Sequence, residues 1–413
     1  MEKKAKIDFD KTFKNYSSKE GISFREEYLN KFLEKGFPNR QMENWKFLDL
    51  QQIINKNIGE LNFYNDFNKE NDLKKIEFIK EFEHNKIIFI NGKLEEIDFK
   101  FEEKDKVQVT RELKKSKNKI DNEALLSLNN AFNNIFYNIT VKSNYELKKP
   151  LIVYHNTNDE LKYSNINLQL NFLIEKNSSL KIIDLFNDTS EKNFINIFYN
   201  FDLKQDAILK NFKLDSSSNK NVKYSFNNID QESNSVSETF ILSCGSEFIK
   251  NEINCNLNGN FSSAFVNGIF YLEKQKQHEI RTKINHMTEN TKSYQLIKSV
   301  LDDESKSVYQ GKIYVDSNAQ KTDGYQLSKA ILLNENTEFN AKPELEIYAD
   351  DVKCSHGSAS GNLDENSIFY LRSRGLNYKE ARSLLINGFL LEVIEKITDT
   401  QIKNFIKNIL GLK

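Results

Sequence analysis

The long middle of the chain, from about residue 136 to residue 352, alternates short apolar runs with compact polar corners. Runs such as 151–154, 166–174 and 312–315 have the alternation or short apolar continuity that is typical of β-strands. The corners each carry a small residue and lie at 177–179, 205–207, 244–246, 258–260, 303–305, 317–319 and 336–337. Where they are closest they recur at roughly 14 to 20 residues, which fits one strand after another around a stacked coil. The pattern leaves a β-sandwich or barrel and a parallel β-helix as equal alternatives.

Helical periodicity appears on the N-terminal side of this region. Ser23 and Glu26 have the spacing of a capping box, and Gly36 is a candidate C-terminal stop. Trp45 lies among apolar residues, so we expect it to anchor a small core. An Asn-Gly pair at 91–92 between two apolar runs predicts a hairpin.

Three more helices are predicted on the C-terminal side. Asp364 is a candidate N-cap of the first, Asn377 with Glu380 begins the second, and 398–401 has the pattern of a capping box for the third. Their apolar face is wide, so they form either a cap on the last turn of the β region or a docking surface for a partner. We therefore predict an N-terminal helical and mixed domain over 1–133, a β core over 134–360 and a C-terminal helical domain over 361–413.

Composition narrows the classes of function. The chain has 413 residues, of which 38% are hydrophobic, so it can bury large cores. The net charge of -1 arises from 59 basic and 60 acidic residues, which gives no general attraction to nucleic acid or anionic lipid. Three widely separated cysteines favour a reducing compartment, and no apolar run is long enough to span a membrane or to act as a signal peptide. We expect a cytoplasmic protein.

The candidate chemistry lies at the end of a predicted strand over 345–349. Cys354 and His356 are two residues apart, so a continuing strand places the thiol and the imidazole on one face. Both groups are ligands for iron or zinc, but two ligands are fewer than the four of a structural metal site, and the spacing alone is more often that of a half-buried structural pair. The pairs His278 with His286 and Cys244 with Cys255 are interpreted as structural rather than as sites.

A longer pattern surrounds this pair. The stretches are Leu-Glu-Ile-Tyr-Ala-Asp-Asp-Val-Lys-Cys-Ser-His-Gly at 345–357, Leu-Asp-Glu at 363–365 and Phe-Tyr-Leu-Arg-Ser-Arg-Gly at 369–375. With the segment 286–323 and an early Glu-Asn-Trp-Lys at 43–46, they resemble the SufB/SufD family of the SUF iron-sulfur cluster assembly machinery. In that family SufB carries a cysteine in the turn corresponding to 324–327, and this chain does not, so the resemblance is to the SufD branch.

The resemblance implies a mainly β fold, a right-handed parallel β-helix with N-terminal and C-terminal helical regions. It also implies a scaffold, not itself an enzyme, that pairs with SufB and with the SufC ATPase, while self-association into a homodimer stays open. A transient iron-sulfur cluster would form near the SufB interface, with His356 and Cys354 as ligands and Asp350 and Asp351 as groups that orient them. ATP would be bound by SufC, and reduced flavin is linked to the family complex, although no motif here locates it.

In the family the C-terminal helices bind SufC. The residues that we expect at this contact are Arg372, Arg374, Leu384, Leu385 and Phe389, with Arg382 as a further source of charge. The rival interpretations are a SufB-like paralogue, a plain β-helix interaction scaffold in which Cys354 and His356 are structural, and a carbohydrate-active β-helix enzyme. No P-loop and no Gly-x-Ser-x-Gly motif occurs in the sequence.

Overall fold

The structure is a computed structural model that describes residues 2–13, 19–63, 76–113, 123–158 and 161–412. Its helices are α1 Glu2–Phe13, α2 Lys19–Lys35, α3 Leu50–Asn57, α4 Ala124–Phe132, α5 Glu365–Ser373, α6 Tyr378–Ile394 and α7 Thr400–Ile409, with a 3-10 turn at Glu43–Trp45. The first strands are β1 Asn85–Ile90, β2 Lys93–Asp98, β3 Val107–Glu112, β4 Phe136–Val141, β5 Leu151–Thr157, β6 Asn165–Ile174, β7 Ser179–Asp188, β8 Phe194–Leu203, β9 Ile208–Asp215 and β10 Val222–Gln231. The remaining strands are β11 Val236–Ser243, β12 Phe248–Leu257, β13 Ser263–Leu272, β14 Gln277–His286, β15 Lys292–Leu301, β16 Lys306–Val315, β17 Thr322–Leu332, β18 Glu338–Ile347 and β19 Val352–Gly361.

The strands form two sheets in which neighbours are two strands apart in sequence, except in the pairs that involve β1, β2 or β3. The odd sheet runs β19-β17-β15-β13-β11-β9-β7-β5-β1-β2, and the even sheet runs β18-β16-β14-β12-β10-β8-β6-β4-β3. From β4 onward all neighbours are parallel, and β14 pairs with β16 over its whole length without a shift of register. Each pair from β4–β5 to β18–β19 is therefore one turn, which gives eight turns in the described chain. The predicted parallel β-helix with flanking helices is confirmed, and the sandwich or barrel alternative is wrong.

The corners explain why the chain turns at these places. All seven predicted corners lie between strands, and the turn from an even to an odd strand repeatedly contains a residue with positive φ. These residues are Asn144, Asn177, Asp206, Asn234, Phe261, Asn290 and Lys321. Asn and Asp tolerate the left-handed region better than other non-glycine residues, so the Asn-rich composition of the corners has a conformational reason. Successive corners also bond to each other, as when Asn177 Nδ2 donates to Asn144 Oδ1 at 2.9 Å.

The interior of the β-helix, which we call the lumen, is filled by alternate side chains of both sheets. Its apolar residues form one continuous cluster from Ile87 in β1 to Tyr309 in β16. The early turns also bury an ionic group, in which Asp184 accepts from Lys213 Nζ at 2.5 Å and from Tyr199 Oη at 2.7 Å. The His155 ring lies between these groups and stacks on Phe186. This part of the lumen is a closed and tightly bonded core.

The N-terminal helices pack on the outer face of the even sheet. Trp45 is 1% exposed and lies in a cluster with Tyr224 of β10, whose ring is 5.7 Å away. Nζ of the buried Lys250 lies 4.3 Å from the centre of the Trp45 ring and donates to Asn44 O at 2.7 Å. The prediction that Trp45 is a core anchor is confirmed.

The C-terminal helices pack on the outer face of the odd sheet. Ile386, Leu390 and Val393 of α6 join a cluster with Phe240 and Val300 of that sheet. Polar contacts continue along the same face, as Lys298 Nζ reaches Glu392 at 2.5 Å. Of the two alternatives for these helices, the cap on the last turn does not hold for α6, because α6 packs on the side of β13 and β15.

The predicted element boundaries are partly correct. Helix α2 begins before Ser23, which is therefore not its N-cap, whereas Gly36 with φ 67° ends it as expected. The N-cap of α7 is Asp399 and not Thr398, because the Asp399 carboxylate accepts from two backbone N–H groups.

Several other local predictions are confirmed. Asp364 caps α5, and Asn377 with Glu380 forms the capping box of α6. The 91–92 hairpin joins β1 to β2, with positive φ at both turn residues. The domain boundaries stay predictions, although β1 to β3 precede residue 134 and already belong to the two sheets. Across the described segments, no helix is both long and apolar enough to cross a membrane.

Candidate functional site

The last turn of the β-helix presents two strand edges. β18 and β19 are the terminal strands of the even and odd sheets, each ten residues long, and most of their side chains are half-buried or exposed. Glu338 N–H donates to Ser305 and Tyr348 N–H donates to Val315, so the even-numbered amides of β18 face β16. The odd-numbered backbone groups then face the free edge, and Pro343, which has no N–H, lies at its centre. Such an edge can pair with another strand.

Cys354 and His356 lie on β19 and face the opening of the lumen. In register, Cys354 is beside Gly324 and His356 is beside Gln326 of β17. The hydroxyl of Ser358, two residues further along, bonds the lumen residue Ser328 at 3.1 Å, which fixes the direction of this face. Strand alternation therefore carries the thiol and the imidazole on one face, with Cys354 half-buried and His356 exposed.

The thiol of Cys354 is held in a small apolar setting. A Cβ atom on Gly324 would lie 3.3 Å from its Sγ, so the sulfur occupies space that a larger neighbour would fill. Burial raises the pKa of Cys354, the Gly324 backbone N–H lowers it, and the negative charge of Asp323 raises it. The net effect is a raised pKa, which favours the protonated thiol over the thiolate.

Asp350 and Asp351 lie exposed in the turn between β18 and β19. The Asp351 N–H donates to Gln320 Oε1 at 2.9 Å, and its carbonyl accepts from the Lys321 N–H at 2.6 Å. These bonds hold the turn, while a role of either carboxylate in orienting Cys354 or His356 stays a prediction. The acidic residue with an electrostatic effect on Cys354 is Asp323, which sequence reasoning missed because only the register brings it there.

The other histidines and cysteines that drew attention in the sequence are internal. His278 bonds Ser243 and the Ser246 carbonyl, His286 bonds Thr291 and Ser293, and burial lowers their pKa values to about 3 and about 4. Burial raises the pKa of Cys244 and of Cys255 to about 12. Their interpretation as structural residues agrees with these contacts. In the described segments, no group of three or more His, Cys, Asp or Glu side chains could hold a metal ion.

A second surface lies on α5 and the start of α6. Arg372, Arg374 and Leu384 are exposed there, Leu384 by 51%. Leu385 and Phe389 are half-buried. Sequence reasoning missed the largest apolar side chains of this surface, which are Phe369, Tyr370 and Tyr378. Phe369 is 73% exposed, and α5 buries only Ile368 among its described side chains.

Two of the arginine and apolar candidates already have contacts within the chain. Phe389 packs on the odd sheet, with Lys298 Nζ 4.2 Å from its ring centre. The guanidinium of Arg382 bonds Asp302 at 2.6 Å. These two residues hold α6 on the β-helix, so the surface available for a partner is centred on α5.

Comparison with known proteins covers both candidate surfaces. A family model described as "SUF system FeS cluster assembly, SufBD core domain" matches residues 157–389. The iron-sulfur cluster assembly protein SufD of Escherichia coli is 26% identical over 391 residues, which are 92% of this chain and 89% of that protein. The chloroplastic protein ABCI7 of Arabidopsis thaliana is 28% identical over 57% of this chain and 50% of its own length. A SufBD family protein of Synechocystis is 42% identical over 25% of this chain and 23% of its own length.

Proposed function

Because this chain belongs to the SufBD core family of the SUF iron-sulfur cluster assembly system, we propose that it is a SufD-like scaffold subunit. The observation that carries the proposal is the position of Cys354 and His356 on one face of the last turn, at a strand edge that can pair with another chain. The chain would not be an enzyme by itself. Its contribution would be to hold a partner and to supply ligands for a nascent cluster.

The partner at the open end is SufB. Two long parallel edges, one from each sheet, offer backbone donors and acceptors to the strands of a second β-helix. Pairing there would cover the lumen opening and would bring donors of SufB next to Cys354 and His356. Because SufB is a relative within the same family, the same edges allow this chain to pair with its own copy when SufB is absent.

Cys354 and His356 are the proposed ligands of the transient cluster, which is cargo rather than a resident cofactor. Thiolate sulfur and imidazole nitrogen are good donors to iron. This chain supplies two donors at the site, and the missing ones would come from SufB, which explains why the site lies at an edge. Asp350 and Asp351 would orient the pair once the turn is covered.

The ligand role is tested by His356→Ala in the complex with SufB and SufC. We expect the complex to form and cluster assembly, followed by the visible absorption of the cluster, to slow at least tenfold. Ser355→Ala is the matched control, because Ser355 is the neighbour on the opposite face of β19. Assembly at the normal rate in His356→Ala would refute the ligand role.

The SufC ATPase would dock on the exposed surface of α5 and α6. Large apolar side chains flanked by Arg372 and Arg374 are typical of a protein interface, in which aromatic and arginine residues dominate. ATP would be bound by SufC and not by this chain, and its binding would rearrange the SufB pair. We leave reduced flavin as a component of the complex without assigning residues to it, and we propose a cytoplasmic location.

The SufC contact is tested by Phe369→Glu. A charge in the centre of the surface should abolish co-elution with SufC in size exclusion with mass determination, while pairing with SufB persists. Phe261→Glu makes the same change at a corner where Phe261 is 59% exposed, and it should leave both contacts intact. Equal binding of SufC by both variants would place the ATPase elsewhere.

A further inference from the structure

Gln326 is a buried amide for which the fold gives no explanation. It is 1% exposed, it points into the lumen from β17, and its Oε1 has no hydrogen-bond partner among the described residues. Its Nε2 lies 3.5 Å from the Glu344 carbonyl of β18, which is the outer limit of a hydrogen bond. A buried amide oxygen without a hydrogen-bond partner destabilises the folded state, so an apolar residue would serve the core better.

The amide is nevertheless accommodated by its neighbours. A Cβ atom on Gly311 would lie 2.3 Å from Oε1 of Gln326 and 2.5 Å from the hydroxyl of Tyr309, so glycine provides the space for both groups. The Tyr309 hydroxyl donates to Gln295 Oε1 at 3.1 Å and leaves Gln326 free. The space is therefore shaped around an amide whose oxygen has no hydrogen-bond partner among the described residues.

The register shows what lies above it. Gln295, Gln326 and His356 are aligned on β15, β17 and β19. Neighbouring strands are about 4.8 Å apart, so the Gln326 amide and the His356 imidazole are within reach of each other by side-chain rotation. No group in the described residues hydrogen bonds the imidazole in this structure. The amide oxygen of Gln326 and the imidazole of His356, neither of which has a hydrogen-bond partner among the described residues, are thus on neighbouring strands at the opening of the lumen.

An imidazole that binds a metal through one nitrogen normally donates its other N–H to a fixed acceptor. We propose that Gln326 is the positioning residue of His356, and that its amide oxygen accepts the ring N–H and directs the second nitrogen out of the lumen. The inference rests on the proposed ligand role of His356 and deepens it. It explains why an amide is kept directly below the last turn.

The first test reads the tautomer of His356 by nitrogen NMR of the full chain labelled in its histidines, of which the sequence has five. The unmodified chain should hold one neutral tautomer of His356 and should show a through-space contact between its ring and the Gln326 amide protons. Gln326→Leu should give a mixture of tautomers, and Gln326→Glu, which keeps an acceptor oxygen, should restore one. Ser328→Ala is the control, because Ser328 lies on the same face of β17 under Ser358.

The second test uses Zn²⁺ alone as a probe of the Cys354 and His356 pair. Gln326→Leu should weaken Zn²⁺ binding by about tenfold, within the range known for groups that hold a metal ligand, while Ser328→Ala should not. If the unmodified chain lacks the contact and Gln326→Leu changes neither tautomer nor affinity, the inference is overturned. It then fails alone if His356→Ala still stops cluster assembly, whereas normal assembly in His356→Ala would overturn the proposed function instead.

Discussion

The two ends of the β-helix are closed in different ways. At the N-terminal end, β2 and β3 are antiparallel to their neighbours, and Leu94, Ile97 and Val109 pack against the lumen cluster. At the C-terminal end, the terminal strands are parallel to theirs, and Cys354 and His356 stand at the opening of the lumen. The chain itself seals one end, whereas the strand edges at the other end have no partner strand among the described residues.

The different closure of the two ends suggests that the first turn of the β-helix mainly serves stability and the last turn mainly serves function. A parallel β-helix needs both ends covered, because unpaired strand edges associate with other strands. Here apolar side chains cover the lumen at the first turn, whereas β19 of the last turn carries polar and small residues such as Ser355 and Ser358. We expect substitutions near the first turn to unfold the protein and substitutions near the last turn to change its assembly.

The largest expected effect is a difference in the unfolding free energy lost when either of two lumen-facing phenylalanines is replaced. Phe89 of β1 is 1% exposed and packs on Tyr137, whereas Phe339 of β18 is half-buried. Phe89→Ala should lower the free energy of unfolding by about 3–5 kcal/mol, as for a fully buried ring. Phe339→Ala should cost about 1–2 kcal/mol, because it opens less buried space. Denaturant unfolding of both variants measures the contrast, and equal losses would mean that the last turn is sealed as firmly as the first.

The next effect concerns pH and compares the inner histidines, His278 and His286, with the last turn. Burial lowers the pKa of His278 to about 3 and that of His286 to about 4, against an unfolded value of about 6.5. Between pH 6.5 and 4 the unfolded chain therefore binds more protons than the folded chain, so stability falls as the pH falls. Each histidine should contribute at most about 1.4 kcal/mol per pH unit in this window.

His286→Gln should reduce the pH dependence of the unfolding free energy by the contribution of one histidine. Ser355→Ala serves as its control, since Ser355 is exposed at the last turn and its side chain does not titrate in this pH range. Urea unfolding at several pH values gives the slopes directly. A slope that persists in His286→Gln would show that other groups carry the dependence.

The smallest effect should appear at the centre of the free edge. Pro343→Ala supplies one N–H that faces away from β16, and we expect the stability of the isolated chain to change by less than about 1 kcal/mol. A strand that pairs with this edge gains one hydrogen bond, worth about 0.5–1.5 kcal/mol, so association should tighten by tenfold at most. Sedimentation measures self-association and SufB binding in parallel. A large loss of stability would show that the residue 343 amide position faces the core instead.

Many single elements of this fold could be predicted from the sequence because their signals are local, whereas the choice of a parallel β-helix came from the family resemblance. The polar corners, the Asn377 and Glu380 capping box and the Asp364 cap each depend on residues close in sequence. The two N-caps that were predicted wrongly lie where more than one nearby residue has a side chain that can cap a helix. Ser23 has capping chemistry but lies inside a helix that begins at Lys19, and Asp399 replaces its neighbour Thr398 as the cap of α7.

The candidate site was harder to predict because it depends on register. The Cys-x-His spacing predicted that both side chains share a face, but no local signal places Asp323 or Gln326 beside them. Likewise, the apolar stripe of the last helices predicted that they pack against another surface, but it did not identify that surface. In the structure Leu390 of α6 packs on the outer face of the odd sheet, whereas Phe369 of α5 stays exposed.

The unlike ends have a consequence for the behaviour of many copies of this chain at high concentration. Identical β-helices could in principle stack head to tail and grow into an open fibre, since a contact that does not close on itself repeats without limit. Here the N-terminal end of the β-helix presents antiparallel strands. The C-terminal end presents parallel strands with Pro343 at the centre of β18, so the strand edges at the two ends are not complementary. We therefore expect the asymmetry of the two ends to disfavour head-to-tail polymerisation of this chain.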